Sequence, residues 1–199
     1  MGVAGVLLAA GAGRRMGAPK ALMRDAVGVP WVTNAARTLV AAGCAPVIVV
    51  AGAEADAVRD ALSHEPVELI VAADWSDGMS ASLRAGLRAA ATTDADAALI
   101  HLVDLPDVDA RVVRRLHAHA TREALARAGY RRGSHGHPVL IGRAHWAGVC
   151  AGAVGDAGAR AYLADHVVVI VDCSDLADGT DIDEPADLPV GSSLPRLRA

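Results

Sequence analysis

Short, almost wholly apolar runs alternate along the chain with longer stretches of helical spacing. Val3–Ala9, Val47–Val50, Glu68–Ala72 and Ala97–Val103 are predicted to be buried strands from their length and β-branched content. Between and after them, Val29–Ala42, Glu54–Ser63 and Ser80–Ala91 carry helical periodicity, and Asp109–Ala128 places Val112, Val113, Leu116 and then Leu125 on one face. Strands and helices alternating at this pitch imply right-handed crossovers and a mainly parallel sheet covered on both sides. The predicted fold class is therefore α/β, in three α/β/α layers. After Gly129 the rhythm changes: Pro138–Ile141 and Val167–Asp172 read as strands, Gly155–Ala164 as a helix, and Asp-rich turns lead to Pro185. Residues 1–189 are expected to form a single domain. Residues 190–199, with Gly, Ser and Pro and no periodicity, are expected to form a mobile tail.

Composition narrows this picture. A chain of 199 residues suits one domain with a full-sized core. Hydrophobic residues make up 53% but aromatics only 3%, with no Phe, so the core must be Leu, Val, Ile and Ala, which favours helices packed on a sheet. The longest uncharged stretch, Leu39–Ala53, is interrupted by Gly43 and Pro46 and falls short of the ~18–20 apolar residues of a bilayer span, so no membrane partner is expected. Arg14 and Arg15 follow the first apolar run rather than precede it, which argues against a secretory leader. Cys44, Cys150 and Cys173 are odd in number and lack metal spacing, as expected of reduced thiols in a cytoplasmic protein. A net charge of −4 with scattered arginines is a poor match for nucleic acid.

The basic residues are lopsided: eighteen are arginine and one is lysine, Lys20. An ammonium is a compact point charge on a flexible stem, and a guanidinium cannot replace it where a small anion is met end-on. Lys20 closes the run Leu8-Ala9-Ala10-Gly11-Ala12-Gly13-Arg14-Arg15-Met16-Gly17-Ala18-Pro19-Lys20, directly after the first strand. In an open parallel sheet ligands sit beyond the carboxyl ends of the strands, where a loop of small residues lets backbone N–H groups approach phosphates. Gly11, Gly13 and Gly17 give G-x-G-x-x-x-G, one residue too long for a dinucleotide fingerprint. Lys20 lies between Pro19 and Ala21, so a Walker loop is excluded as well. What remains is a glycine loop with two cations, Arg15 and Lys20, suited to stabilising charge that develops on a leaving pyrophosphate. The competing reading is a tight turn with solvated charges.

The loop resembles the LAAGxGxRMGxxK signature of the MobA-like nucleotidyltransferases. Later motifs resemble the branch of molybdenum cofactor cytidylyltransferases: Gly78-Met79-Ser80-Ala81-Ser82-Leu83-Arg84-Ala85-Gly86-Leu87, Asp104-Leu105-Pro106, Gly136-His137-Pro138-Val139-Leu140, Gly155-Asp156-Ala157-Gly158-Ala159-Arg160, and residues 181–188 beginning Asp181-Ile182-Asp183. They span residues 8 to 188 in family order. The departures are small: Val103 stands where Gly often precedes the aspartate, and Ala21 where Leu is common.

The resemblance implies a Rossmann-like nucleotide-diphospho-sugar transferase fold, an NTP (CTP or GTP) bound with Mg²⁺, and nucleotidyl transfer to a molybdopterin-type phosphate. By the same resemblance Leu8, Ala10, Gly11, Gly13, Arg15, Lys20, Gly78 and Ser82 would hold the nucleotide, and Arg15, Lys20 and Asp104 would be catalytic. Asp104 and Asp183 would hold the metal, with Asp181 as rival to Asp183, and His137 and Arg160 would meet the acceptor. Other acceptors, such as a phospholactate or a sugar phosphate, stay open, as does a non-catalytic carrier that delivers the cofactor to a molybdoenzyme. A nicotinamide oxidoreductase is disfavoured by the glycine count and by the lack of an acid ending the second strand about 20 residues beyond the loop.

Each residue also has a plainer reading. Asp104 could cap the next helix, as could Asp107 or Asp109; Ser80 and Ser82 could be helix caps; and Arg160 could close a salt bridge. His135 and His137 lack further ligands at zinc spacing. Arg111, Arg114, Arg115, Arg122 and Arg127 read as the solvated face of a helix, with Arg131 and Arg132 the candidates for an anionic ligand.

Overall fold

The computed structural model describes residues 2–131 and 134–195. Seven strands form one sheet in the order β3-β2-β1-β4-β6-β5-β7, with β1 Val3–Ala9, β2 Val47–Ala51, β3 Glu68–Val71, β4 Ala97–Leu102, β5 Leu125–Gly129, β6 His135–Gly142 and β7 Val169–Asp172. β1 pairs in parallel with both β2 and β4, and β2 with β3, while β6 runs antiparallel between β4 and β5. The sheet is thus mostly parallel, and β7 returns to parallel pairing with β5.

Helices α1 (Trp31–Ala41), α2 (Ala55–Ala61) and α4 (Ala110–His117) cover one face, and α3 (Met79–Ala91), α5 (Trp146–Gly152) and α6 (Arg160–Ala164) the other. Alternate residues of the central strands feed the two cores. Leu7, Val49 and Leu99 pack under α1 and α4; Val6, Ile48 and Ile100 pack under α3 and α5. Both faces of β1 and β2 are buried, which explains their near-continuous apolar sequence.

Three expectations need correction. The Asp109–Ala128 helix ends at His117, and Leu125 lies on β5 instead, because pairing with β6 and β7 overrides the helical preference of an Ala/Arg/Leu-rich segment. The Gly155–Ala164 helix is split at Gly158, φ +55°, into a 3₁₀ turn over Gly155–Ala157 and the short α6. The segment expected to be a tail from residue 190 is fastened at Ser193, which exchanges backbone hydrogen bonds of 2.9 and 3.0 Å with Arg24. Residues 196–199 lie outside the described residues.

Helix α3, which carries the Gly78–Leu87 motif, approaches the sheet most closely at Gly86. A Cβ there would overlap the Val6 side chain and stand 3.1 Å from Val50 Cγ2. Gly86→Leu is therefore expected to destabilise the protein by about 1–3 kcal/mol through overpacking, read as a lowered thermal midpoint. A variant melting with the parent would disprove the close clamp.

Candidate active site

β1 and β4 are neighbours at the point where chain order departs in both directions, and the crevice beyond their carboxyl ends is where such sheets bind ligands. The glycine loop leaves β1 here. Gly13 adopts φ +62°, and a Cβ on it would run into the Ala18 carbonyl, so the loop can fold back on itself only with glycine at this position. Gly17 N–H then donates to Gly13 O at 2.9 Å. Met16 and Ala18 are buried with Met23, Trp31 and Ile182 in a small apolar cluster that pins the loop from below.

That cluster also sets the two aspartates around Ile182 apart. Ile182 is buried in it and its N–H donates to Asp104 O at 3.0 Å, so the flanking carboxylates diverge. Asp183 turns to the loop and Asp181 to a neighbouring cavity. The Lys20 ammonium donates to Asp104 Oδ2 at 2.7 Å and to Asp183 Oδ1 at 2.6 Å. Arg15, on the solvent side, lies 2.9 Å from Asp183 Oδ2.

Lys20 loses hydration in this position, but the hydrogen bonds and charges of the two carboxylates outweigh that loss and raise its pKa. The two carboxyls move in opposite directions. Burial pushes Asp104 up despite Lys20, whereas the Lys20 hydrogen bond pulls Asp183 down against a smaller burial cost. Asp104 does not cap α4; Asp109 does, accepting from Arg111 N–H at 2.8 Å. Asp104 Oδ1 is buried with no hydrogen-bond partner among the described residues.

A cavity of about 480 Å³ opens above this cluster, lined by Leu8, Ala10, Gly11, Gly13, Arg15, Lys20, Gly78, Ser82, Asp104 and Asp183. Ten residues singled out in the sequence thus converge on one space. Gly78, φ +105°, brings the start of α3 against Gly155 and Asp156, where a Cβ would come within 2.7 Å of backbone. Asp156 accepts from Met79 N–H, and Ser80 accepts from Gly158 N–H at 3.1 Å, so Ser80 ties the first turn of α3 to the 155–158 turn while Ser82 lines the cavity. Trp75, which sequence reasoning passed over, lines the same cavity.

His137 and Arg160 line a second, adjoining cavity of about 260 Å³ that shares Leu8, Met79, Leu102 and Asp156 with the first. Burial, and then the charge of Arg127, push the His137 imidazole down to about 4, with Asp181 opposing. His137 is therefore neutral at physiological pH and offers hydrogen bonding rather than charge.

Arg160 makes no ion pair among the described residues. Most of the arginine cluster is solvated as expected: Arg111, Arg115 and Arg122 pair with Asp109, Asp175 and Asp96. Arg131 turns away to Ser174 O, and Arg132 lies outside the described residues. The arginine that enters the cavity is Arg127 of β5.

The family model that matches the chain is the MobA-like NTP transferase domain, over residues 5–170. The chain belongs to this family. A relative 40% identical over 190 residues, spanning 91% of this chain and 92% of its own, is the nicotine blue oxidoreductase of Paenarthrobacter nicotinovorans. Among solved structures, a nucleotidyl transferase from Methanothermobacter thermautotrophicus is 26% identical with a TM-score of 0.78, covering 93% of each chain. The Rv0371c protein of Mycobacterium tuberculosis is 27% identical with a TM-score of 0.81, covering 94% of this chain and 95% of its own. A second structure of Rv0371c, 26% identical with a TM-score of 0.77 and covering 94% and 96%, is a complex with manganese. No helix among the described residues is long and apolar enough to cross a membrane.

The charge cluster of this MobA-like domain has a pH signature. Because Asp183 is depressed, its contribution to stability is present above the ordinary carboxylate range, about pH 4, and is lost as pH falls through its lower folded value. Thermal melts across pH are expected to show the destabilisation by Asp183→Asn in full at neutral pH and shrinking on acidification. A gap that stays constant down to acid pH would rule out the ion pairs as its source.

Proposed function

We propose that this protein is a divalent-metal-dependent nucleotidyltransferase that passes the nucleotidyl group of an NTP, CTP before GTP, to a phosphate acceptor and releases pyrophosphate. The acceptor that the sequence motifs favour is a molybdopterin-type cofactor. The observation that carries the reading is Lys20 held between Asp104 and Asp183 at the mouth of a glycine loop.

An ionised acceptor phosphate needs no strong general base, so the protein's work is alignment and charge neutralisation. An acceptor oxygen forms the new bond to the α-phosphorus as the bond to the bridging oxygen breaks, and pyrophosphate leaves with the electron pair. The loop amides and Ser82 position the nucleotide, and Lys20 and Arg15 meet the charge growing on the leaving group. Asp104 and Asp183 would hold the metal: both are hard oxygen donors, and the partnerless Asp104 Oδ1 fits such a role. When bound, a magnesium or manganese ion would supply positive charge that offsets the charge of the phosphates. The manganese complex of Rv0371c supports a divalent ion without choosing between the two.

A second reading is favoured by one specific observation, the 40% identical nicotine blue oxidoreductase. Against it stand the glycine spacing and an anion-directed cluster for which hydride transfer has no need.

The deciding experiment is a thermal-shift screen of CTP, GTP, ATP and UTP with Mg²⁺ or Mn²⁺, followed by pyrophosphate release. A nucleotide at ~100 times its Kd adds about 2.7 kcal/mol of stability. Lys20→Ala is expected to cut turnover on the order of 10²–10³-fold, as for loss of one transition-state donor, with circular dichroism unchanged. Near-normal pyrophosphate release from that variant, or NADH- or NADPH-dependent bleaching of nicotine blue without any NTP turnover, would overturn the reading.

A further inference from the structure

An arginine in the middle of a buried strand needs a reason. β5 reads Leu-Ala-Arg-Ala-Gly, and the four neighbours of Arg127 in the strand are all buried. Its Nε is shut off from solvent and has no hydrogen-bond partner, and its guanidinium makes one bond, from Nη2 to His135 O at 3.2 Å. No carboxylate among the described residues pairs with it. Its neighbours make matters worse. Burial and the charge of Arg160 both act to lower its pKa, and the adjacent His137 is neutral. A partly buried, unpaired cation facing a second cation is unfavourable in the ligand-free protein, and an anion between them would relieve it.

The surroundings say what carries that anion. The rest of the cavity lining is largely aliphatic, with Leu83, Ile100, Leu102, Val139, Ile141 and Leu163, and Val139 stands beside Arg127 on the neighbouring strand. Asp156 and Asp181 lie at the same cavity but make no ion pair with either arginine, and Asp156 is engaged by Met79 N–H. The sequence contains no glutamine and a single asparagine, Asn34, which is bonded to Asp25. No side-chain amide is therefore present to read the polar edge of a ligand in this cavity.

Within the nucleotidyl-transfer reading above, we propose that Arg127 and Arg160 form the phosphate clamp of the acceptor cavity, and that the acceptor is a phosphate monoester on an apolar or flat ring body. Arg127 is a specificity-determining residue that the sequence motifs did not mark, and His137 adds a neutral hydrogen bond.

The test is direct binding by calorimetry and thermal shift, with phenyl phosphate, inorganic phosphate and phenol as probes and no nucleotide present. Wild-type protein is expected to bind phenyl phosphate more tightly than inorganic phosphate, and phenol not at all. Arg127→Leu and Arg160→Ala are each expected to weaken phenyl phosphate by tenfold or more, since each removes a charge-assisted bond. Arg127→Leu is expected to melt at or above the parent temperature, because it removes an unpaired buried charge. Lys20→Ala should leave phenyl phosphate binding in place, which separates this cavity from the nucleotide site. Equal binding of inorganic and phenyl phosphate, binding unchanged in Arg127→Leu, or no binding to wild type would each overturn the proposal. Because no step needs an NTP, failure of nucleotidyl transfer would leave these binding results standing, and their failure would leave nucleotide turnover untouched.

Discussion

The candidate site is organised by the ammonium of Lys20. It is bonded at once to Asp104, 84 residues away, and to Asp183, 163 residues away, so it gathers the loop after β1, the end of β4 and the turn around Ile182. Charges this shielded are costly to desolvate, and breaking such a pair leaves one partner exposed to that cost alone. The arrangement balances two cations, Lys20 and Arg15, against two carboxylates. A triphosphate brings further negative charge into a site that is already balanced. Lys20 and Arg15 would meet that charge, and Asp104 and Asp183 are the residues that would hold a divalent cation supplying the further positive charge the proposed reaction needs.

Residues with strong local constraints were legible in the sequence. The glycine loop could be placed because a fixed spacing after an apolar strand admits few conformations, and Gly13 does adopt the positive φ that its tight turn requires. Lys20 stood out because the chain uses arginine everywhere else. Of the first four strands, β1, β2 and β4 could be read because both of their faces are buried along most of their length, and apolar runs then mark them.

What escaped was set by contacts distant in sequence. Leu125–Gly129 has the composition of a helix and becomes a strand because β6 and β7 flank it. Asp181 and Asp183 are equivalent in spacing, and burial of Ile182 beneath the glycine loop separates them. Arg127 looked like one more exposed helix cation for the same reason that Leu125 looked helical: an error of secondary structure moved a buried cavity residue to the surface. α5 was passed over because its buried face amounts to Trp146 and Val149 and its short span includes two glycines.

The two cavities meet at Leu8, Met79, Leu102 and Asp156, and they differ sharply in chemistry. The first is built from backbone, small residues and a compensated charge cluster, features that would suit the phosphates of the proposed nucleotide. The second combines an aliphatic lining with two arginines that no carboxylate among the described residues pairs with, so its affinity would depend on what the ligand brings. Divergence within such a family would then be expected to concentrate in the second cavity, where exchanging one strand residue for another alters charge without disturbing the loop. A 40% identical relative named for an oxidoreductase, on a fold shared with a nucleotidyl transferase, is the kind of pair such a division permits. In this chain Lys20, Asp104 and Asp183 stand together at the end of the central strands, where they both tie three distant segments together and fit the transfer proposed above.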